Sequence, residues 1–151
     1  NNLVYTTPDY AITYPENWRL DTNHTMGEDL IIFAPHENGD VEFNTNVNLL
    51  VQDLTDMNVD LEGYRKVSLK QLKKYVRNPE IFEDEILEPK NNKVFGNMRY
   101  SMIMGGNKLM TKQYYFVKES IAYILTLTTK FEEYEKYKAI GLEILDSYKL
   151  Q

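Results

Sequence analysis

The fold is decided by residues 93–129, KVFGNMRYSMIMGGNKLMTKQYYFVKESIAYILTLTT. Alternation with period two, together with β-branched and aromatic content, reads as three consecutive antiparallel strands. Val94, Met98, Tyr100, Met102 and Met104 share one face of the first run. Leu109, Thr111, Tyr115 and Val117 share one face of the second, and Tyr123, Leu125 and Leu127 one face of the third. Gly105-Gly106-Asn107 supplies the positive-φ residues a tight hairpin needs, and Lys118-Glu119-Ser120 a polar reversal. The opposite faces carry Phe95, Ile103, Met110, Phe116 and Ile124. A sheet apolar on both faces needs cover on both.

Upstream of this meander, Leu3-Val4-Tyr5 and Tyr10 to Tyr14 are short strands broken at Thr7-Pro8-Asp9, where proline lacks the N–H to continue a ladder. Pro15 ends the second strand, and Trp18, the only tryptophan, is placed to lie across the end of a core. Residues 21–29 read as a loop. Leu30-Ile31-Ile32-Phe33-Ala34 is a short unbroken apolar run, a buried strand ended by Pro35. The Asn-Gly of residues 36–40 signals a hairpin. Its second arm, 41–51, places Val41, Phe43, Val47, Leu49 and Val51 on one face and Glu42, Asn44, Asn46 and Asn48 on the other.

Two helices complete the pattern. Residues 61–76 repeat Leu61, Tyr64, Ser68, Leu72 and Tyr75 at helical spacing behind an Asp60 N-cap, and Asn78-Pro79 stops them. Residues 80–88 follow as a mixed polar and apolar strand. A final helix over 131–150 carries Phe131, Tyr134, Tyr137, Gly141, Ile144, Leu145 and Tyr148 as its stripe, with Thr129 and Glu132 at capping-box spacing. Gly141 costs about 1 kcal/mol against Ala in a helix interior, which points to close approach of helix and sheet. The expected class is α+β: an α/β/α sandwich with a single antiparallel sheet and a helix on each face, formed by residues 1–151 as one domain.

The order of these pieces resembles the PsbP-like superfamily, which includes PsbP, the Ran-binding Mog proteins and bacterial DcrB-like proteins. The resemblance is carried by Tyr14-Pro15-Glu16-Asn17-Trp18, Phe33-Ala34-Pro35, the Asn-rich strand from Asn44 to Val51, the 61–76 helix, and the last strand Ala122 to Thr128 running into a terminal helix. It implies an α/β/α sandwich, a non-enzymatic binding or assembly role, and an exported or lipid-anchored bacterial protein. It transfers no catalytic or metal-binding residue. The chain opens Asn1-Asn2-Leu3 without Met, so a tag or a signal segment is expected to have been removed upstream. An extracytoplasmic location is favoured.

Chemistry is sparse. No Cys is present, which excludes disulfides and thiolate chemistry, and the formal net charge of -6 disfavours nucleic acid. No apolar run reaches the roughly 20 residues of a membrane span. His24 and His36 are the only histidines; His36-Glu37 near Asp40 is an incomplete metal set on a hairpin tip. Ser68, Ser101, Ser120 and Ser147 lack a nucleophile context, and Gly105-Gly106 is no phosphate loop. Glu83, Asp84, Glu85 and Glu88 read as a solvated acidic edge rather than paired catalytic carboxylates. Asn44, Asn46 and Asn48 stand out, because Asn is depleted in strands. Three on one face make a candidate polar floor, whose amides suit a peptide backbone or polar ligand. The reading is therefore a non-catalytic binding or assembly module without cofactor or metal, acting on a protein partner. A small-ligand or lipid-binding domain, with Met98, Met102, Met104 and Met110 lining a pocket, is the alternative. A hydrolytic enzyme is the third.

Overall fold

A computed structural model describes residues 1–36, 43–88 and 93–151. In chain order these form β1 (Asn2–Thr6), β2 (Tyr10–Pro15), β3 (Arg19–Asp21), β4 (Leu30–Phe33), β5 (Asn46–Asp53), α1 (Leu61–Tyr75), β6 (Glu80–Leu87), β7 (Phe95–Met104), β8 (Asn107–Lys118), β9 (Ile121–Lys130), α2 (Tyr134–Ser147) and β10 (Lys149–Leu150). The 93–129 meander forms as read, as β7, β8 and β9, and 80–88 is the strand β6. Both reversals put positive φ where two-residue hairpin turns require it. Gly105 and Gly106 carry φ of 58° and 83°, while Glu119 and Ser120 adopt 52° and 63°.

The expected single sheet is two. Seven strands run in the order β3-β4-β5-β9-β8-β7-β6, and three more form a separate sheet, β1-β2-β10. Every strand pairing among the described residues is antiparallel. The small sheet escapes the sequence reading because its third strand has only two residues, inside what reads as the last helix. That helix stops at Ser147. The Ser147 hydroxyl donates to the Ile144 carbonyl at 2.6 Å and accepts from Thr13 N–H at 2.9 Å, so the helix end is tied to β2. Lys149 and Leu150 then pair with Ala11 and Tyr10.

Three other expectations are corrected. Thr129 lies inside β9 and its hydroxyl donates to the Lys130 carbonyl; a 3-10 turn, Phe131–Glu133, leads into α2 with no side-chain cap, so the Thr129–Glu132 capping box is absent. Asp21, read as the start of a loop, instead ends a short edge strand, Arg19–Asp21, that pairs with β4, with the Arg19 guanidinium 4.5 Å from the Phe33 ring centre. The Asn-rich strand begins at Asn46 rather than at residue 41, and Val41 and Glu42 lie outside the described residues. The Asp60 cap is present: its carboxylate accepts from Gly63 N–H at 2.8 Å.

Alternate residues of β9 meet different helices, as the period of two demands. Tyr123, Leu125 and Leu127 join the main core with Tyr134, Ile144 and Leu145 of α2 and the buried face of β2. Ala122 and Ile124 pack instead with Leu54, Tyr115 and Tyr64 of α1. Leu72 of α1 closes over Met98 and Tyr100. Trp18, 4% exposed, lies edge-on to Tyr137 of α2 at 6.4 Å and belongs to the core. The Tyr10 hydroxyl donates to the Asp29 carboxylate, joining the small sheet to the residues that precede β4.

Candidate functional site

The paired strands fix where the asparagines point. Asn48 lies opposite Thr126 of β9, Thr126 opposite Gln113 of β8, and Gln113 opposite Met98 of β7. Residues directly opposite share a face, so Asn48, Thr126 and Gln113 form a polar row across three strands. Leu50 and Ile124 form the next row on the same side. Helix α1 crosses that side with Tyr64, Ser68, Gln71, Leu72 and Tyr75, one helical stripe at steps of three and four. Between helix and sheet is a groove of about 420 Å³.

Among the described residues that line it, the groove has no Asp, Glu, Lys, Arg or His, in a chain that is 26% charged. Its polar groups are the carboxamides of Asn48, Gln52, Gln71 and Gln113 with the hydroxyls of Ser68 and Thr126. Burial pushes the Tyr64 phenol up to about 12 and raises that of Tyr100, so both remain neutral donors. Tyr75 stands at the mouth, 73% exposed. Among the described residues, a ligand entering here meets donors and acceptors but no fixed charge.

Of the three predicted residues, the structure brings only Asn48 to the groove. Its Nδ2 donates to Oδ1 of Asn46 at 3.1 Å, and Nδ2 of Asn46 donates to the Asn44 carbonyl at 3.0 Å. Asn46 therefore orients Asn48. Asn44 precedes the strand and contributes its backbone. The sequence reading missed Gln52, Gln71 and Gln113. Gln52 continues the even-numbered face of β5 and was open to the same parity argument. Gln113 and Gln71 were not, because their membership depends on inter-strand register and on where α1 crosses.

The other candidates disperse. Glu83 and Asp84 point to opposite sides, as consecutive strand residues do, and in place of the expected solvated edge each is bound by cations. Glu83 accepts from Lys112 at 2.8 Å and from Arg99 at 3.1 Å, and Asp84 accepts from Arg65 of α1 at 3.0 Å. Burial drives the Glu83 carboxyl up, but the two cations outweigh it and hold it below its ordinary value. Ser147 is committed to the β2 contact and Ser101 is buried in β7. His24 Nδ1 lies 2.9 Å from the Glu28 carbonyl. Among the described residues no three acidic or histidine side chains are grouped to hold a metal ion; Glu37 and Asp40 of the His36 set lie outside them. The four methionines do not line one pocket: Met98 and Met102 pack beneath α1, Met110 joins the α2 core, and Met104 is exposed.

No protein-family model matches the sequence, and no curated protein matches it. Solved structures do. PsbP of the cyanobacterium Synechocystis sp. PCC 6803 (CyanoP) superposes over 99% of this chain and 92% of its own, with a TM-score of 0.68 at 14% identity. LpqN of Mycobacterium tuberculosis, involved in cell envelope biogenesis, covers 100% of this chain and 91% of its own with a TM-score of 0.71 at 11% identity. The fold is PsbP-like. PA94 of Pseudomonas aeruginosa shares it, with a TM-score of 0.68 at 13% identity over 97% of this chain and 94% of its own. No helix among the described residues is long and apolar enough to cross a membrane. At these identities the likeness of PsbP-like chains is one of architecture, so the groove has to be read from its own side chains.

Proposed function

We propose that this protein is a non-catalytic binding module that takes an uncharged, extended segment of a partner protein into the groove between α1 and the sheet. The observation that carries this reading is the charge-free, carboxamide-rich lining. A carboxamide offers both donor and acceptor, as a peptide unit does, so a row of them matches a main chain without choosing its side chains. A charged residue in the ligand would lose its hydration without finding a counter-ion, and would be rejected. Asn48, positioned by Asn46, belongs to the floor; Asn44 supports the pair from below. Residues 1–151 act as one module in which the larger sheet is sandwiched between the helices. The envelope role in the description of LpqN supports an extracytoplasmic setting.

The test is selection from a random phage-displayed peptide library, with each winner re-measured on variants. Selected peptides should lack Asp, Glu, Lys and Arg over the bound stretch. Their binding should fall about tenfold with Asn48→Ala and vanish with Ser68→Trp, which fills the groove. Urea midpoints of both variants should remain near the parent's, because Asn48 and Ser68 are only partly buried. Charged winners, or winners indifferent to Ser68→Trp, would overturn the proposal.

A further inference from the structure

Adjacent positions on β8 point to opposite sides of the sheet. Gln113 and Tyr115 therefore face α1, while Tyr114 and Phe116 face the side covered by α2. Helix α2 does not reach the whole of that side. Beyond its last turn, Phe95, Tyr114 and Phe116 remain only half-buried. Their rings form a continuous floor. Phe95 meets Tyr114 edge-on at 4.9 Å and lies nearly parallel to Phe116 at 5.5 Å, with an interplanar angle of 27°. Leu87 of β6, Leu145 of α2 and Leu150 of β10 wall it, enclosing about 490 Å³, within the range of small-molecule sites.

Among the described residues that line this cleft the charges balance, with Asp146 and Glu88 against Lys93 and Lys149. The Lys93 ammonium is already committed to the Leu150 carbonyl at 2.9 Å, which braces β10 as a wall. Burial and then the neighbouring Asp146 carboxylate raise the Tyr114 phenol, which stays protonated at the edge of the ring floor. Such a site offers flat apolar faces, the phenols of Tyr114 and Tyr148, and balanced charge among its described lining residues.

We propose that this cleft is a second binding site, separate from the groove, for a planar aromatic small molecule of no net charge. The ring system stacks on Phe95 and Phe116, and a polar substituent meets the Tyr114 hydroxyl and Asp146. An acyl chain is disfavoured. Offset ring stacking contributes beyond the area buried, and a flexible chain must also be ordered to fill the same space.

The probe is N-phenyl-1-naphthylamine, an uncharged aromatic whose fluorescence rises on leaving water. It should bind saturably, one per chain. Phe116→Leu, which keeps apolar volume but removes a ring, should weaken it about tenfold, and Leu87→Trp, which fills the cleft, should abolish it. Indole should displace the probe, whereas decanol should not. Non-saturable binding, or decanol competing as well as indole, would overturn the proposal. So would an unchanged affinity in both variants when their urea midpoints match the parent's. Should either variant unfold, the order of competitors on the parent protein decides. Ser68→Trp must leave the probe in place, so a failure here and a failure of the peptide groove are read separately.

Discussion

Gly141 supports a prediction whose sign can be worked from distances. A Cβ placed on Gly141 would lie 2.6 Å from Leu127 Cδ2, 2.9 Å from Cδ1 and 3.2 Å from Cγ. Carbon–carbon contacts are comfortable at about 3.5–4.0 Å, so the shortfall is on the order of 1 Å. Leu127 is 0% exposed in the core that joins β9 to β5 and α2, with nowhere to retreat. Helix propensity favours Ala over Gly by about 1 kcal/mol, but overpacking a filled core costs about 1–3 kcal/mol. Gly141→Ala should therefore lose about 1 kcal/mol net, and Gly141→Leu about 1–3 kcal/mol. The stronger test is a double-mutant cycle with Leu127→Ala, which removes the three atoms nearest to the new Cβ. That change alone should cost about 2–5 kcal/mol through the cavity it leaves. In its background, Gly141→Ala no longer clashes and should stabilise by about 0.5–1 kcal/mol through helix propensity. Urea denaturation followed by far-ultraviolet circular dichroism gives all four midpoints. The reasoning is refuted if Gly141→Ala stabilises the parent, or if the two changes simply add.

Four further predictions test separate parts of the molecule. The buried Tyr115 hydroxyl has no hydrogen-bond partner among the described residues, so Tyr115→Phe should leave the urea midpoint unchanged or raise stability by about 1 kcal/mol; a clear loss would mean the hydroxyl is satisfied. Gly96 faces that same ring, and a Cβ placed on it would fall 2.0 Å from the nearest ring carbon. Gly96→Ala should therefore destabilise by about 3 kcal/mol or more, and near-parent melting would contradict the packing of β7 on β8. Glu83 has a lowered folded pKa, so its contribution is present above its ordinary value of 4.5 and disappears as pH falls through the depressed folded value. The midpoint difference between parent and Glu83→Gln should shrink across that acid range, and a difference constant with pH would exclude the Lys112–Arg99 pairing as its source. Ser147→Ala should cost about 1–2 kcal/mol by orphaning Thr13 N–H, and amide exchange at β10 should accelerate; unchanged protection would show that β10 is held by its wall contacts alone.

Much of the architecture is written in local pattern. Period-two runs define β7, β8 and β9; helical spacing and the Asp60 cap define α1; and the cost of a mid-helix glycine foretold the contact of Gly141 with Leu127. These features are legible because each depends on neighbours a few residues apart. The asparagine face was legible for the same reason, since parity along one strand fixes which residues share a side. Tertiary structure decided the rest. Only strand register places Gln113 beside Thr126 and Asn48, and only the crossing of α1 adds Gln71 and Ser68, turning a polar face into a groove free of charge. Glu83 and Asp84 look alike in sequence, yet they bind cations on opposite sides because their partners come from β7, β8 and α1. The last two strand residues were invisible for a similar reason: a helical pattern runs through them, and the bond from Thr13 to Ser147, 134 positions away, ends the helix first. Sequence periodicity fixes which way a side chain faces, but what it faces is set by chain pairing over long separations, and that information is not local.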